Sequence, residues 1–151
     1  MKRTPLSRGT KTLKRSEFKQ KATPKKRKRK DPNSISVLKK KLWTKFSLFV
    51  RERDKYTCFT CGKQATGSGM HGGHFITGST CPTSLYFDES NVHAQCYNCN
   101  INKSGNWVIY EENMIKEYGE EHVKDMKLRR TLLMGEKKDA EWYKGKLDEY
   151  K

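Results

Sequence analysis

The sequence predicts a small α+β domain with flanking helices and a disordered basic tail, and three observations predict it. Apolar residues recur at helical spacing before residue 54 and again after residue 106, but not between them, where glycines cluster. Two Cys-x2-Cys pairs bracket that irregular middle. Positive charge is concentrated before residue 31: 14 Lys and Arg stand there against Glu17 alone, which accounts for +13 of the chain's net +16. With hydrophobic residues at 33% of 151, the chain cannot bury a core along its whole length, so one compact unit plus a tail is expected.

The segment 1–34 has Lys and Arg throughout, Pro5, Pro24 and Pro32, and only scattered hydrophobes such as Leu6, Leu13 and Phe18. Such a composition cannot offset the entropy of ordering. Its run Lys25-Lys26-Arg27-Lys28-Arg29-Lys30 reads as a DNA-contacting arm whose share of affinity falls with salt through counterion release. A nuclear import signal is the competing assignment for the same run. From Asn33 or Ser34 as N-cap, an amphipathic helix is predicted over 35–53, with Leu38, Leu42, Trp43, Phe46 and Val50 on its core face. Lys39, Lys40, Lys41 and Lys45 form its solvated face. The core unit is placed at 54–118, with loops and short strands around Gly62, Gly67, Gly69, Gly72 and Gly73 and a helix through Trp107, Tyr110, Met114 and Tyr118 that stops at Gly119. A helical segment follows over 119–151, in two pieces separated at Gly135. No apolar run is long enough to span a membrane and no apolar stretch follows the basic N-terminus as in a secretory signal, so a soluble cytoplasmic protein is expected.

Cys58-x2-Cys61 and Cys96-x2-Cys99 are pairs of the kind that hold one tetrahedral Zn²⁺ through thiolates. Redox-active cysteines are the competing assignment, but two such pairs without a thioredoxin-like context point to metal. Four thiolates close the coordination shell, so the zinc is structural and contributes folding energy, and any chemistry lies elsewhere. Cys81 is left over, a small non-ligand residue. The intervening residues, 62–95, are more than a minimal zinc ribbon needs, so something else is built between the pairs.

Between and just after them stand His71-Gly72-Gly73-His74-Phe75-Ile76, then Asn91-Val92-His93, then Asn100-Ile101-Asn102-Lys103. A histidine, an asparagine and a third metal-type side chain at the start of a helix are the parts of an HNH (ββα-metal, His-Me finger) site. There a strand presents a base and a helix N-terminus brings a ligand and partial positive charge to a phosphate. Cys58-x2-Cys61-Gly62, Gly73-His74-Phe75, Phe87-Asp88-Glu89-x-Asn91-Val92-His93-x-Gln95-Cys96-x2-Cys99-Asn100 and Lys103-Ser104-Gly105-Asn106 together resemble the NinG/Rap recombination nucleases of lambdoid phages. The Cys-x2-Cys-Asn ending also resembles a phage Holliday-junction endonuclease with four zinc cysteines and an Asn metal ligand.

The resemblance implies a metal-dependent endonuclease acting on branched recombination intermediates, Holliday junctions or D-loops, in the host cytoplasm. Structural Zn²⁺ and catalytic Mg²⁺ or Mn²⁺ are the implied cofactors. His74 would be the general base, Asn91 would hold the loop that carries it, Asn100 would bind the catalytic ion, and Lys103 and His93 would contact DNA. Gly73 stands where many HNH members have a ligand, so the second ligand is open between His71 and Asp88, with Glu89 and His93 as further options. Cutting would leave 5′-phosphate and 3′-hydroxyl ends, and symmetrical resolution of a four-way junction would need a homodimer, with other phage recombination proteins as further partners. The rival assignment is a non-catalytic zinc module that binds nucleic acid through its arm. His122 is assigned no function.

Overall fold

A helix whose apolar residues recur every fourth position must bury one face, and the first helix decides where the core lies. The computed structural model of the protein describes residues 31–77 and 81–150. Helix α1 (Ile35–Arg53) lines up Leu38, Leu42, Phe46 and Val50, all at most 4% exposed. Ser34 holds the N-cap position, yet its hydroxyl donates to the Asp31 carbonyl at 2.7 Å instead of capping the helix. Residues 31–34 thus form a hydrogen-bonded turn at the start of α1. The rest of that segment, with the run from Lys25 to Lys30, lies outside the described residues.

After α1 come a 3₁₀ turn (Gly67–Gly69), strand β1 (Met70–His74), the short helix α2 (Thr83–Tyr86), strand β2 (Val92–Cys96) and a π-helical turn (Asn98–Asn102). Helices α3 (Trp107–Tyr118), α4 (Glu120–Leu132) and α5 (Ala140–Glu149) complete the chain. β1 and β2 pair antiparallel, with Met70 opposite Cys96, His71 opposite Gln95 and Gly73 opposite His93. The fold is thus a mixture of helices and one small sheet, as the sequence predicts.

A two-stranded hairpin is marginal alone, and every residue of β2 is buried by what packs around it. On one side, α1 meets Phe87, Val92 and Tyr143 of α5. On the other, Phe75 and Ile76, just past β1, join Leu85, Tyr110, Met114, Val123 and Met126 from α2, α3 and α4. At the end of α1, Asp54 Oδ2 accepts from the Ala94 N–H at 2.7 Å, and Arg53 donates to the carbonyls of Glu89 (2.8 Å) and Val92 (2.9 Å). This ties the helix C-terminus to β2.

Gly119 ends α3 at φ 86, a left-handed value that glycine adopts without penalty, as its position in the sequence predicts. The start of α3 differs from expectation. Ser104, Gly105 and Asn106 all have positive φ (49, 90 and 49), and this left-handed run separates the π-turn from α3. Asn100 consequently sits in the π-turn and not at a helix N-terminus. The four-residue α2 also has no expectation behind it, being too short to show a period. Among the described residues no helix is long and apolar enough to cross a membrane.

Phe46 is 0% exposed and meets Phe87 and Tyr150 edge-on at 5.7 and 5.2 Å. Phe46→Ala is expected to remove about 3–5 kcal/mol, a large part of a small domain's stability. Urea unfolding at saturating zinc checks this, and a loss under about 1 kcal/mol would show that α1 does not anchor the core.

Candidate metal centre and active site

The two Cys-x2-Cys turns meet at the base of the hairpin, one before β1 and one at the end of β2. Their four sulfurs lie within 4.8 Å of one another, and Cys61 Sγ is 3.8 Å from Cys96 Sγ. A tetrahedral zinc with Zn–S bonds of about 2.3 Å spaces its sulfurs about 3.8 Å apart, so the cluster fits that ion. The thiols' acidities agree. Burial pushes Cys61 up to about 12, and the neighbouring sulfurs act the same way. Burial also opposes ionisation of Cys58, but the Thr60 hydroxyl and the backbone N–H groups of Cys96, Cys61 and Thr60 pull it down to about 6. Several thiolates cannot share this volume without a cation between them. Cys81 stays apart, packed beside Ile76, with its thiol pushed up to about 11 by burial.

From that base the structure brings His71 and Asn100 together. His71 Nε2 lies 3.2 Å from the Ser68 carbonyl, which can only accept, so the ring proton is on Nε2 and Nδ1 carries a lone pair. Nδ1 faces the Asn100 amide nitrogen at 3.0 Å. An amide turned by 180° presents its oxygen in the same place. Nδ1 and Oδ1 would then be about as far apart as two adjacent ligands of an octahedral ion with bonds near 2.1 Å, whose edge is about 3.0 Å. Both side chains line a cavity of ≈ 370 Å³ together with Trp43, Ser47, Arg51 and Gly72.

His74 lies on the same strand three residues on, so with a period of two its side chain leaves from the opposite face to that of His71. Trp43 stacks on its ring at 4.9 Å and 17°, and the Tyr86 ring stands 4.3 Å away at 40°. His74 Nε2 donates to the Tyr86 carbonyl at 3.0 Å, which leaves Nδ1 as the basic nitrogen. Burial pushes its pKa down to about 4, the Tyr86 bond opposes this, and the Lys39 ammonium acts with burial. The imidazole is therefore neutral at neutral pH. Trp43 links the two histidines: it stacks on His74 and lines the cavity of His71 and Asn100.

Asn91 is 0% exposed, and its amide is wholly spent on backbone. Oδ1 accepts from the Ile76 N–H at 2.7 Å, and Nδ2 donates to the carbonyls of Ile76 (3.2 Å) and Leu85 (2.9 Å). It thereby joins the backbone two residues past His74 to the residue beside Tyr86, the acceptor of His74. Gly73 has an equally specific reason. A Cβ there would lie 2.1 Å from Gln95 Oε1, and the Gln95 side chain is held in place by donating to the Gly105 carbonyl at 2.7 Å. No ligand-bearing side chain fits at 73, because Gln95 fills that space.

Three of the candidate residues lie apart from the His71–Asn100 pair. Asp88 does not join His71 and Asn100: its carboxylate accepts from the Ser90 N–H and hydroxyl and pairs with Arg129 at 3.0 Å, and these bonds hold it below the usual carboxylate range despite burial. Both oxygens are used in bracing the loop before β2. His93 is 3% exposed, between the hydroxyls of Tyr110 (3.0 Å) and Tyr118 (2.9 Å), so neither ring nitrogen is presented to DNA. Glu89 receives the Tyr150 hydroxyl at 3.0 Å and is no ligand of this site. Lys103 is exposed, on the turn after Asn100. The tertiary contacts around His74 add residues with no local signature: Trp43 and Tyr86 as its walls, Lys39 over the Tyr86 ring at 4.8 Å, and Lys127 and Arg130 of α4 in the cavity of ≈ 580 Å³ that His74 lines.

A small α+β protein with four cysteines that could hold a metal at the base of its hairpin, with a His–Asn pair and a neutral histidine beside it, is the class these features define. The chain belongs to the NinG family: the family described as Bacteriophage Lambda NinG protein matches residues 1–150. Protein ninG of Escherichia phage 933W is 42% identical over 79 residues, 52% of this chain and 38% of that protein. Protein ninG of Escherichia phage lambda is 40% identical over 79 residues, with the same coverage of 52% and 38%. Protein ninG of Salmonella phage P22 is 43% identical over 72 residues, 47% of this chain and 34% of its own. The matched part is thus well under half the length of these relatives. No solved structure matches the chain.

Two expected outcomes follow from the geometry. Removing zinc with a strong chelator should unfold the hairpin, since a structural zinc contributes on the order of 10 kcal/mol in small zinc domains; retained near-ultraviolet circular dichroism in the stripped protein would refute the staple. The second concerns acid. His93 is neutral in the fold with its pKa pushed to about 4 by burial and by Arg53, against about 6.5 unfolded. Between these values the unfolded chain binds the extra proton, so stability falls as pH drops from about 6.5 towards 4. His93 alone should remove about 2 kcal/mol between about pH 7.5 and pH 5, with a smaller share from the half-buried His74. Urea midpoints at saturating zinc check this, and equal stability at the two pH values would mean that His93 is charged in the fold.

Proposed function

We propose that the chain is an HNH-type endonuclease that hydrolyses phosphodiester bonds in branched DNA, with His74 as its general base. The observation that supports this best is the pairing of His71 Nδ1 with the Asn100 amide at 3.0 Å, on the strand that also presents a neutral His74 with Nδ1 unprotonated. A binding module needs neither. The branched substrate comes from the family resemblance, and the basic arm and the Lys39 and Arg130 side chains near His74 suit a polyanion.

His74 Nδ1 takes a proton from the attacking water while the Tyr86 carbonyl fixes the ring through Nε2–H. The water oxygen bonds to phosphorus as the P–O3′ bond breaks. The 3′ oxygen takes a proton from solvent, leaving 5′-phosphate and 3′-hydroxyl ends. A phosphate beside the ring favours its protonated form, which raises the low intrinsic basicity that burial imposes. A divalent ion held by His71 Nδ1 and Asn100 Oδ1 would supply positive charge to the phosphate oxygens. A ring nitrogen in the ligand set suits Mn²⁺ better than Mg²⁺. Asn91 acts at one remove, by fixing the backbone on both sides of His74. Two cuts across a four-way junction need two copies, and the exposed Leu128, Leu132 and Met134 on and after α4 offer an apolar face for a second chain. The setting is the host cytoplasm, beside other phage recombination proteins.

The test is cleavage of a synthetic four-way junction, beside a matched linear duplex, by wild type and His74→Ala with Mg²⁺ or Mn²⁺. Metal-dependent cutting of the junction should fall by at least about 100-fold in the variant, with zinc content and DNA affinity retained. Binding without cutting under either ion would leave a non-catalytic zinc module instead. Loss of binding in His74→Ala would make His74 a structural residue.

A further inference from the structure

The cavity that His74 lines has a composition that hydrolysis alone does not require. It measures ≈ 580 Å³ and lies between the end of β1, the turn at Ser104, the start of α3 and the outer part of α4. Lys127 and Arg130 supply two cations to its wall, Ser104 and Thr131 supply hydroxyls, and no carboxylate is among its described lining residues. The cavity of ≈ 730 Å³ on the other side of the hairpin, beside His93, is lined by Asp54, Glu89 and Glu117 as well as Arg53. After Lys30 the chain has 19 Lys and Arg against 16 Asp and Glu, so this wall is a segregation of charge and not the chain's average. Lys127 is itself held by Glu111, so the wall is basic mainly through Arg130, and it suits an anion better than the carboxylate-lined cavity does.

The second component is Trp107, the first residue of α3, which is 54% exposed and lines the same cavity. Lys127, fixed by Glu111 at 2.6 Å, holds its ammonium 5.6 Å from the indole centroid. An exposed indole beside cations is the combination with which proteins hold single-stranded nucleic acid, the ring stacking on a base and the cations tracking the backbone. The volume lies within the range of pockets that enclose small ligands, about 300–1,000 Å³. We propose that this cavity is a subsite for one unpaired nucleotide next to the scissile phosphate, its base stacked on Trp107 and its phosphate paired with Arg130. The subsite rests on the placing of His74 beside the scissile phosphate. A base inside a duplex has both faces covered by its neighbours and cannot stack on Trp107. A nucleotide at a branch, flap or loop can, at little unstacking cost. Preference for branched DNA is then read locally, from one exposed base face, without any base-edge contact.

The test uses zinc-loaded full-length protein with no other divalent ion, so that binding is seen whether or not the chain cleaves. A short oligothymidylate should quench tryptophan emission in the wild type. Trp107→Leu should abolish that quench and weaken single-strand binding by about 5- to 100-fold, while blunt duplex binding changes by less than about twofold. Because Trp107 is exposed, zinc content and circular dichroism should stay those of the wild type. Arg130→Gln should lower the salt slope of single-strand binding by about 0.7. Wild-type single-strand affinity in both variants, or equal losses on single strand and duplex, would overturn the subsite. A failure of the nuclease assignment looks different: no DNA is cut with any ion, while the Trp107-dependent quench persists.

Discussion

Four sulfur atoms meet at the base of the hairpin, and the neighbours of that cluster along the chain set the first polar groups of the site. Cys58 and Cys61 precede β1, Cys96 ends β2, and Cys99 sits in the turn that follows, so one ion held by all four could tie both ends of a two-stranded sheet. Met70, opposite Cys96 in the register, packs under the cluster with Ala94. His71 is the next residue along β1 and Asn100 is the next after Cys99. Their 3.0 Å contact is thus set by two neighbours of the cluster and not by any loop of their own. With only five residues in each strand, ladder bonds alone could not hold this register.

The pleat of β1 then divides the work. His71 and His74 differ by an odd number of positions and leave the strand on opposite faces, so one strand would offer the proposed ligand to one side and the proposed base to the other. Trp43 from α1 reaches both, which makes the first helix a wall of the site as well as the main support of the core. Gly73, between them, is denied a side chain by Gln95, itself anchored to Gly105 and Thr60. An acidic or histidine ligand directly before the base therefore has no room in this chain. Residue 71 is the nearest position on that face of the strand that can serve.

The parts of this arrangement that were legible in the sequence are the local ones. The stripe of α1, the stop at Gly119, the break at Gly135 and the paired cysteines each depend on residues within a few positions of one another. Three parts were not legible because they depend on partners far along the chain. His93 has the composition of a DNA contact but points into Tyr110 and Tyr118, and a strand sequence does not reveal what covers each of its faces. Asp88 has the chemistry of a ligand but meets Ser90 and Arg129 first. Lys127 and Arg130 look like ordinary solvated residues of α4, since it is the packing of Val123 and Met126 against Phe75 and Ile76 that carries them to His74. The left-handed run at Ser104, Gly105 and Asn106, which separates Asn100 from α3, has only one glycine to announce it.

Charge is distributed in a way that separates attraction from chemistry. Two of the groups that would touch reacting atoms are neutral: Asn100 by nature and His74 through burial between Trp43 and Tyr86. The fixed cations stand one layer back, on Lys39, Lys127 and Arg130, and the largest store, +13, lies in the first thirty residues. Had a lysine stood in place of His71, its positive charge would repel a divalent ion from the Asn100 amide, and a cation against the His74 ring would push its pKa down further. A neutral inner layer would avoid both effects, and on the proposed reading a change in the charge of the first thirty residues would alter affinity and salt dependence without touching a proton transfer at His74.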